Sequence, residues 1–151
     1  MKKIIALLIF ISTVSFAQVV VNQPIKVFNL LDQFGTEQTI SKSTKKLLFV
    51  FKKDSGHLLK AHFATKPKDY LESKNSLFIA DVSAMPSFIK FFVLPITGYD
   101  YSIVTLDNDE LSAYYKNEQE VEKIMVVSLD NLMVTDIKYI STIDEVENEL
   151  K

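Results

Sequence analysis

The sequence predicts an α/β fold, a mixed central sheet flanked by helices, on three observations. Short apolar runs alternate with helix-period segments through the first two thirds of the chain, the pattern of parallel strands joined by helical crossovers. Near the end, Leu129-Asp130-Asn131-Leu132 separates two strand-like runs as a hairpin turn would, which adds antiparallel pairing. An amphipathic helix then closes the chain.

The elements follow in order. Ile25 to Leu31 reads as a first strand, and Asp32-Gln33-Phe34-Gly35 as the turn after it, with Gly35 free to take a positive φ. Leu47 to Phe51 is an apolar run too short for a helix and suited to a strand buried on both faces. Asp54 or Ser55 is the expected cap of a helix whose apolar stripe is Leu58, Leu59 and Phe63. Pro67 breaks that helix before a second short one through Tyr70 and Leu71, and Ser76 to Ala80 is another buried strand. The period then lengthens: Met85, Phe88, Ile89 and Phe92 fall at i, i+3, i+4 and i+7, a helical face read as core packing, with Pro86 in the first turn. After Pro95 and Gly98 the period returns to two. Tyr101 to Leu106, Ile124 to Leu129 and Met133 to Tyr139 read as strands. Ser141 or Thr142 caps the last helix, with Asp144 or Glu145 following and Ile143, Val146 and Leu150 on one side. The expected order is β, β, α, α, β, α, β, β, β, α.

Residues 1–17 read as an export signal. Lys2 and Lys3 precede an unbroken apolar run from Ile4 to Ile11, and Ser15-Phe16-Ala17 places small residues where a signal peptidase cuts, so the mature chain is expected to begin at Gln18. The run is about half the roughly 20 residues of a spanning helix, so no membrane span is expected after cleavage. Export to a bacterial periplasm follows. The remaining 134 residues are one domain by length, residues 18–151. The whole chain of 151 residues holds 48% apolar residues, eleven Phe and only three Gly, a composition that folds by burial. It has no cysteine, so no disulfide can help.

Charge is divided along the chain. Residues 18–99 carry 11 lysines against 6 acids, and residues 100–151 carry 4 against 13, about +5 and −9. There is no arginine, and the mature chain is near −4, which argues against nucleic acid as a partner. Three widely separated glycines allow neither a dinucleotide fingerprint nor a phosphate cradle, and no cofactor is expected.

A strand-turn-helix near the start, a helix opening after a third strand, a proline before the next strand, a hairpin and a closing amphipathic helix together resemble the thioredoxin-like fold. The resemblance covers most of residues 25 to 151 and rests on element order and hydrophobic texture. Where that family places its redox pair, this chain has Ser55-Gly56-His57-Leu58-Leu59. Thiol-disulfide exchange needs a thiolate, so a cysteine-less, non-redox member is implied. Pro95 stands where the family's proline, usually cis, would precede a strand, although Ile96 to Asp100 separate it from Tyr101.

Other chemistries find few residues. His57 and His62, five apart on one helix, point about 140° from each other and do not form a metal pair as i, i+4 histidines would; both read as surface or cap residues. Asp54, Ser55 and His57 are sequence neighbours, which rarely present a catalytic triad, and no Gly-x-Ser-x-Gly elbow exists. Asp107-Asn108-Asp109-Glu110 lacks the glycine and closing glutamate of a calcium loop and reads as a strand-ending turn. No metal site is expected.

Binding readings remain. In one, Ser55, Gly56 and His57 lie beside the loop from Pro95 to Tyr101, and Tyr99 and Tyr101 line a groove for an extended peptide or an envelope protein; alternatively the tyrosines cover a sheet end. In another, Tyr114, Tyr115 and Glu118 to Glu122 form an association surface. The rival class is a periplasmic enzyme working by carboxylate acid/base chemistry through Asp81, whose ordinary role would be to cap the next helix through Ser83. The overall expectation is an exported binding or accessory protein of the bacterial envelope.

Overall fold

The structure, a computed structural model, describes residues 18–93 and 98–151. The expected leader and Pro95 lie outside the described residues. The elements run β1 (Asn29–Leu31), β2 (Glu37–Thr39), β3 (Lys46–Val50), α1 (Lys53–Phe63), α2 (Tyr70–Ser73), β4 (Ser76–Asp81), α3 (Ser87–Val93), β5 (Val104–Leu106), α4 (Asp109–Tyr115), β6 (Ile124–Asp130), β7 (Met133–Ile140) and α5 (Ile143–Glu149).

Five strands form one sheet in the order β5-β4-β3-β6-β7. β3, β4 and β5 are parallel, β6 runs antiparallel to β3, and β7 antiparallel to β6. This is the mixed sheet the sequence predicts. Its centre is β3, whose Leu47, Leu48 and Phe49 are all 0% exposed because the sheet is covered on both sides. Alternation divides the strand between two cores. Leu47 and Phe49 join Tyr115, Met125, Val127 and Val134 on one face, and Leu48 and Val50 join Leu59, Phe63, Phe78, Val126 and Val146 on the other.

Several expectations need correction. The first strand is confined to β1, because residues 22–25 instead pair with the start of β7: Asn22 N–H donates to Val134 (2.8 Å), Val134 N–H to Gln23 (3.0 Å) and Ile25 N–H to Leu132 (2.8 Å). β1 turns back into β2, an unpredicted strand with no apolar alternation, to make a separate two-stranded hairpin. α1 begins at an extended Lys52 that offers no side-chain cap, so neither Asp54 nor Ser55 caps it; Leu58 faces out while Leu59 and Phe63 are buried. α4 is a helix where a turn alone is expected. Asn108 caps it by accepting from Leu111 N–H, and Leu111, Ser112 and Tyr115 turn inward. Phe88 of α3 is 67% exposed rather than core, since α3 starts beyond the end of β4, where no described element covers that ring. The β6–β7 turn is as expected, with Asn131 and Leu132 both at positive φ.

The closing helix is held by charge as well as burial. Thr142 and Glu145 form a capping box. Glu149 accepts from Lys46 (2.9 Å) and Lys138 (2.6 Å). Glu147 accepts from His62, from Lys66 (3.1 Å) and from the Tyr70 hydroxyl (3.0 Å), so His62 is a partly buried link between α1 and α5 and not a surface residue. Burial alone would raise the Glu147 carboxyl, but its three donors outweigh it and draw it down to about 2. The folded state therefore takes up this proton less readily than the unfolded chain, and acid favours unfolding. The contribution is present above the ordinary value of 4.5 and is lost as pH falls toward 2. Replacing Glu147 by Gln should flatten the pH dependence of stability over that window in urea titrations, while costing about 1–2 kcal/mol at neutral pH.

Candidate functional site

Two regions of this framework are candidates: the junction where β3 enters α1, and a cleft at the other end of the sheet. At the junction, Phe51 is half-buried with its ring stacked on Phe49, and Lys52 and Lys53 are exposed. Ser55 and Gly56 are buried and His57 is exposed. The Ser55 hydroxyl donates to the Lys52 carbonyl (3.2 Å), so it closes the first turn of α1 and no base activates it. A methyl group added at Gly56 would meet Val50 Cγ2 at 3.6 Å, an ordinary contact. Gly56→Ala is expected to raise stability by about 0.5–1 kcal/mol, read as a higher urea midpoint. β6 pairs with β3 up to Phe49 opposite Met125, which brings the start of β6 to the junction end of the sheet. No proline enters that strand.

The loop ending in Tyr101 lies elsewhere. Tyr101 is 4% exposed, its hydroxyl donates to the Lys60 carbonyl (2.9 Å), and its ring meets Phe63 edge-on at 5.9 Å. Burial, then the neighbouring Tyr99, pushes its phenol above the ordinary tyrosine range and keeps it a donor. Tyr99 is half-buried against Tyr101. Both tyrosines thus pack on the second half of α1, whereas Ser55, Gly56 and His57 occupy its first turns. The structure does not bring the two groups together.

The cleft opens on the Tyr99 side. Its volume is about 570 Å³, and it runs between the β1–β2 hairpin, α2 and residues 100–102. Leu71, Leu77 and Phe78 make the floor, and Lys68, Asp69, Glu72 and Asp100 stand on the rim. A smaller hollow of about 100 Å³ beside Tyr99 and Tyr101 shares Lys68 and Asp100 with it. Phe34, 59% exposed, projects from the hairpin tip into the cleft mouth. Asp32 fixes that tip, accepting from Phe34 N–H (2.9 Å), Thr36 N–H (2.9 Å), Gln38 Nε2 (3.2 Å) and Ser102 Oγ (2.9 Å). Sequence reasoning missed this cleft, although an aromatic in the Asp-x-x-Gly turn was its one visible sign.

The remaining candidates are structural. The Asp81 carboxylate accepts from Ser83 N–H (2.9 Å) and Ser112 Oγ (2.6 Å), so it ties β4 to α4. Tyr115 is 1% exposed, stacks on Phe49 at 4.4 Å and donates to the Lys26 carbonyl (2.8 Å); it is core and not an association surface.

Neither a family model nor a curated protein matches the chain. Solved structures do. Peroxidoxin BcpB from Mycobacterium tuberculosis superposes with a TM-score of 0.54 at 14% identity, over 86% of this chain and 93% of its own. The thioredoxin domain of a thiol-disulfide oxidoreductase from Bacteroides vulgatus gives 0.53 at 10% identity, over 89% and 100%. A peroxiredoxin-like protein from Aquifex aeolicus gives 0.54 at 10% identity, over 88% and 86%. The fold is thioredoxin-like. Among thioredoxin-like chains this one is cysteine-less, and its Ser55-Gly56-His57 junction supplies no thiolate. No helix among the described residues is long and apolar enough to cross a membrane.

Proposed function

We propose that this chain is an exported, non-redox thioredoxin-like domain, residues 18–151, that acts as a binding or accessory protein of the bacterial envelope. One observation carries the reading: the fold is kept while the sulfur chemistry is absent, and a cleft of about 570 Å³ is open at the sheet end away from the junction. That volume is within the range of about 300–1,000 Å³ in which ligand sites occur. The basic and apolar start of the chain supports export to the periplasm, with processing before Gln18. Of the residues first considered, Tyr99, half-buried beside the smaller hollow, supports a partner-binding role best. Tyr101 supports it from below, and Ser55, Gly56 and His57 are left to form the start of α1.

Two measurements test this. Periplasmic extraction followed by N-terminal sequencing should give Gln18 as the first residue, and full-length chain confined to the cytoplasm would overturn export. A photo-crosslinking residue at position 99 should capture a discrete envelope partner that the same residue at position 57 does not. Equal capture at both, or none at either, would overturn the binding site.

A further inference from the structure

We infer that the cleft takes an extended basic peptide segment, with lysine or arginine side chains laid across Phe34. The inference rests on the binding reading above and names its ligand. Three features converge on it. The floor of Leu71, Leu77 and Phe78 suits the aliphatic stems of long cationic side chains, which bury their methylenes while the charged head stays wet. The rim carries Asp69, Glu72 and Asp100 against Lys68 alone. Among the described residues no ion pair engages any of these four, whereas nearby Lys66 is neutralised by Glu147. Lys68, Asp69 and Glu72 belong to residues 18–99, which apart from them carry 10 lysines to 4 acids, and Asp100 joins them from the next segment, so the mouth's sign is opposite to that half's and selects a cation.

Phe34 supplies the third feature. A large aromatic 59% exposed on a tip that Asp32 holds by four hydrogen bonds loses little freedom on binding, and its face attracts an ammonium or guanidinium. The hydrogen bonds hold the backbone that carries Phe34 at the cleft mouth, so only the torsions of its ring remain for the ligand to order.

The test is a ¹H–¹⁵N titration of the mature domain with two capped hexapeptides, one of alternating Lys and Gly and one of alternating Glu and Gly. The lysine peptide should shift amides of residues 34, 68–75 and 99–102, and the glutamate peptide should not. Phe34→Ala, and separately Glu72→Gln with Asp100→Asn, should each weaken the lysine peptide by about two- to fivefold, and added salt should weaken it further. All three substitutions are at exposed positions, and unchanged spectra elsewhere would show that the variants fold. Equal binding of the two peptides, absence of binding by the lysine peptide, or indifference to both variants would overturn the inference. If the lysine peptide fails while crosslinking at position 99 still captures a partner, the ligand class is wrong and the binding role stands. If both fail, the role falls with it.

Discussion

Asp32→Ala is expected to destabilise the domain by about 3 kcal/mol and to loosen the cleft mouth at the same time. The carboxylate is 6% exposed and accepts from two backbone amides, one side-chain amide and one hydroxyl. Removing it leaves four donors to find water or nothing, and the Ser102 hydroxyl would lose its link from the hairpin to the segment before β5. Asp32→Asn separates the parts of this effect. Its carbonyl can still serve Phe34 and Thr36, but its NH₂ faces the Gln38 and Ser102 donors, so roughly half the loss should remain. Urea unfolding with an unchanged slope would report both. A cost below about 1 kcal/mol for the alanine variant would show that the tip does not depend on this residue.

Phe63→Ala should be the most damaging core change, at about 4 kcal/mol. Phe63 is 1% exposed, and its ring centroid lies 5.9 Å from Phe78, 5.9 Å from Tyr101 and 6.2 Å from Tyr70. It is where α1, α2, β4 and the segment before β5 meet, so the cavity left behind cannot be filled by one side chain moving. A fall in melting temperature of roughly 15 °C is expected by calorimetry. Phe63→Leu, which keeps most of the volume, should cost well under half as much.

The layered core was legible because it is written in local periods. Leu47 to Val50 announces a doubly buried strand, and Thr142 with Glu145 announces a helix start; both are where the pattern places them. α4 was missed although its signals were present. Asn108 and the inward Leu111 and Tyr115 mark a capped helix, but Asp107-Asn108-Asp109 reads equally as a turn until a core exists for Leu111 to enter. β2 was invisible because Glu37-Gln38-Thr39 has no apolar face, and only its pairing with β1 makes it a strand. Of the cleft only the aromatic in the Asp-x-x-Gly turn was legible, since Phe34, Glu72 and Asp100 come together only in the folded chain, from the hairpin, α2 and the segment before β5. Tyr101 carried two readings, a groove wall or a cover for a sheet end, for a related reason. Its ring and hydroxyl suit a surface or a core, and packing on Phe63 with a hydroxyl bond to the Lys60 carbonyl, which also accepts from Ala64 N–H, makes it core.

The segment at residues 22–25 lies along the start of β7, which is otherwise an outer strand of the sheet. An uncovered strand margin is a template for another molecule's backbone, and this one is shielded by its own chain at Met133 and Val134 and by the charges of Asp136 and Lys138 farther along. Peeling that segment away would bare an adhesive edge, so self-polymerisation, more than loss of the core, is the hazard to which removing residues 18–25 would lead.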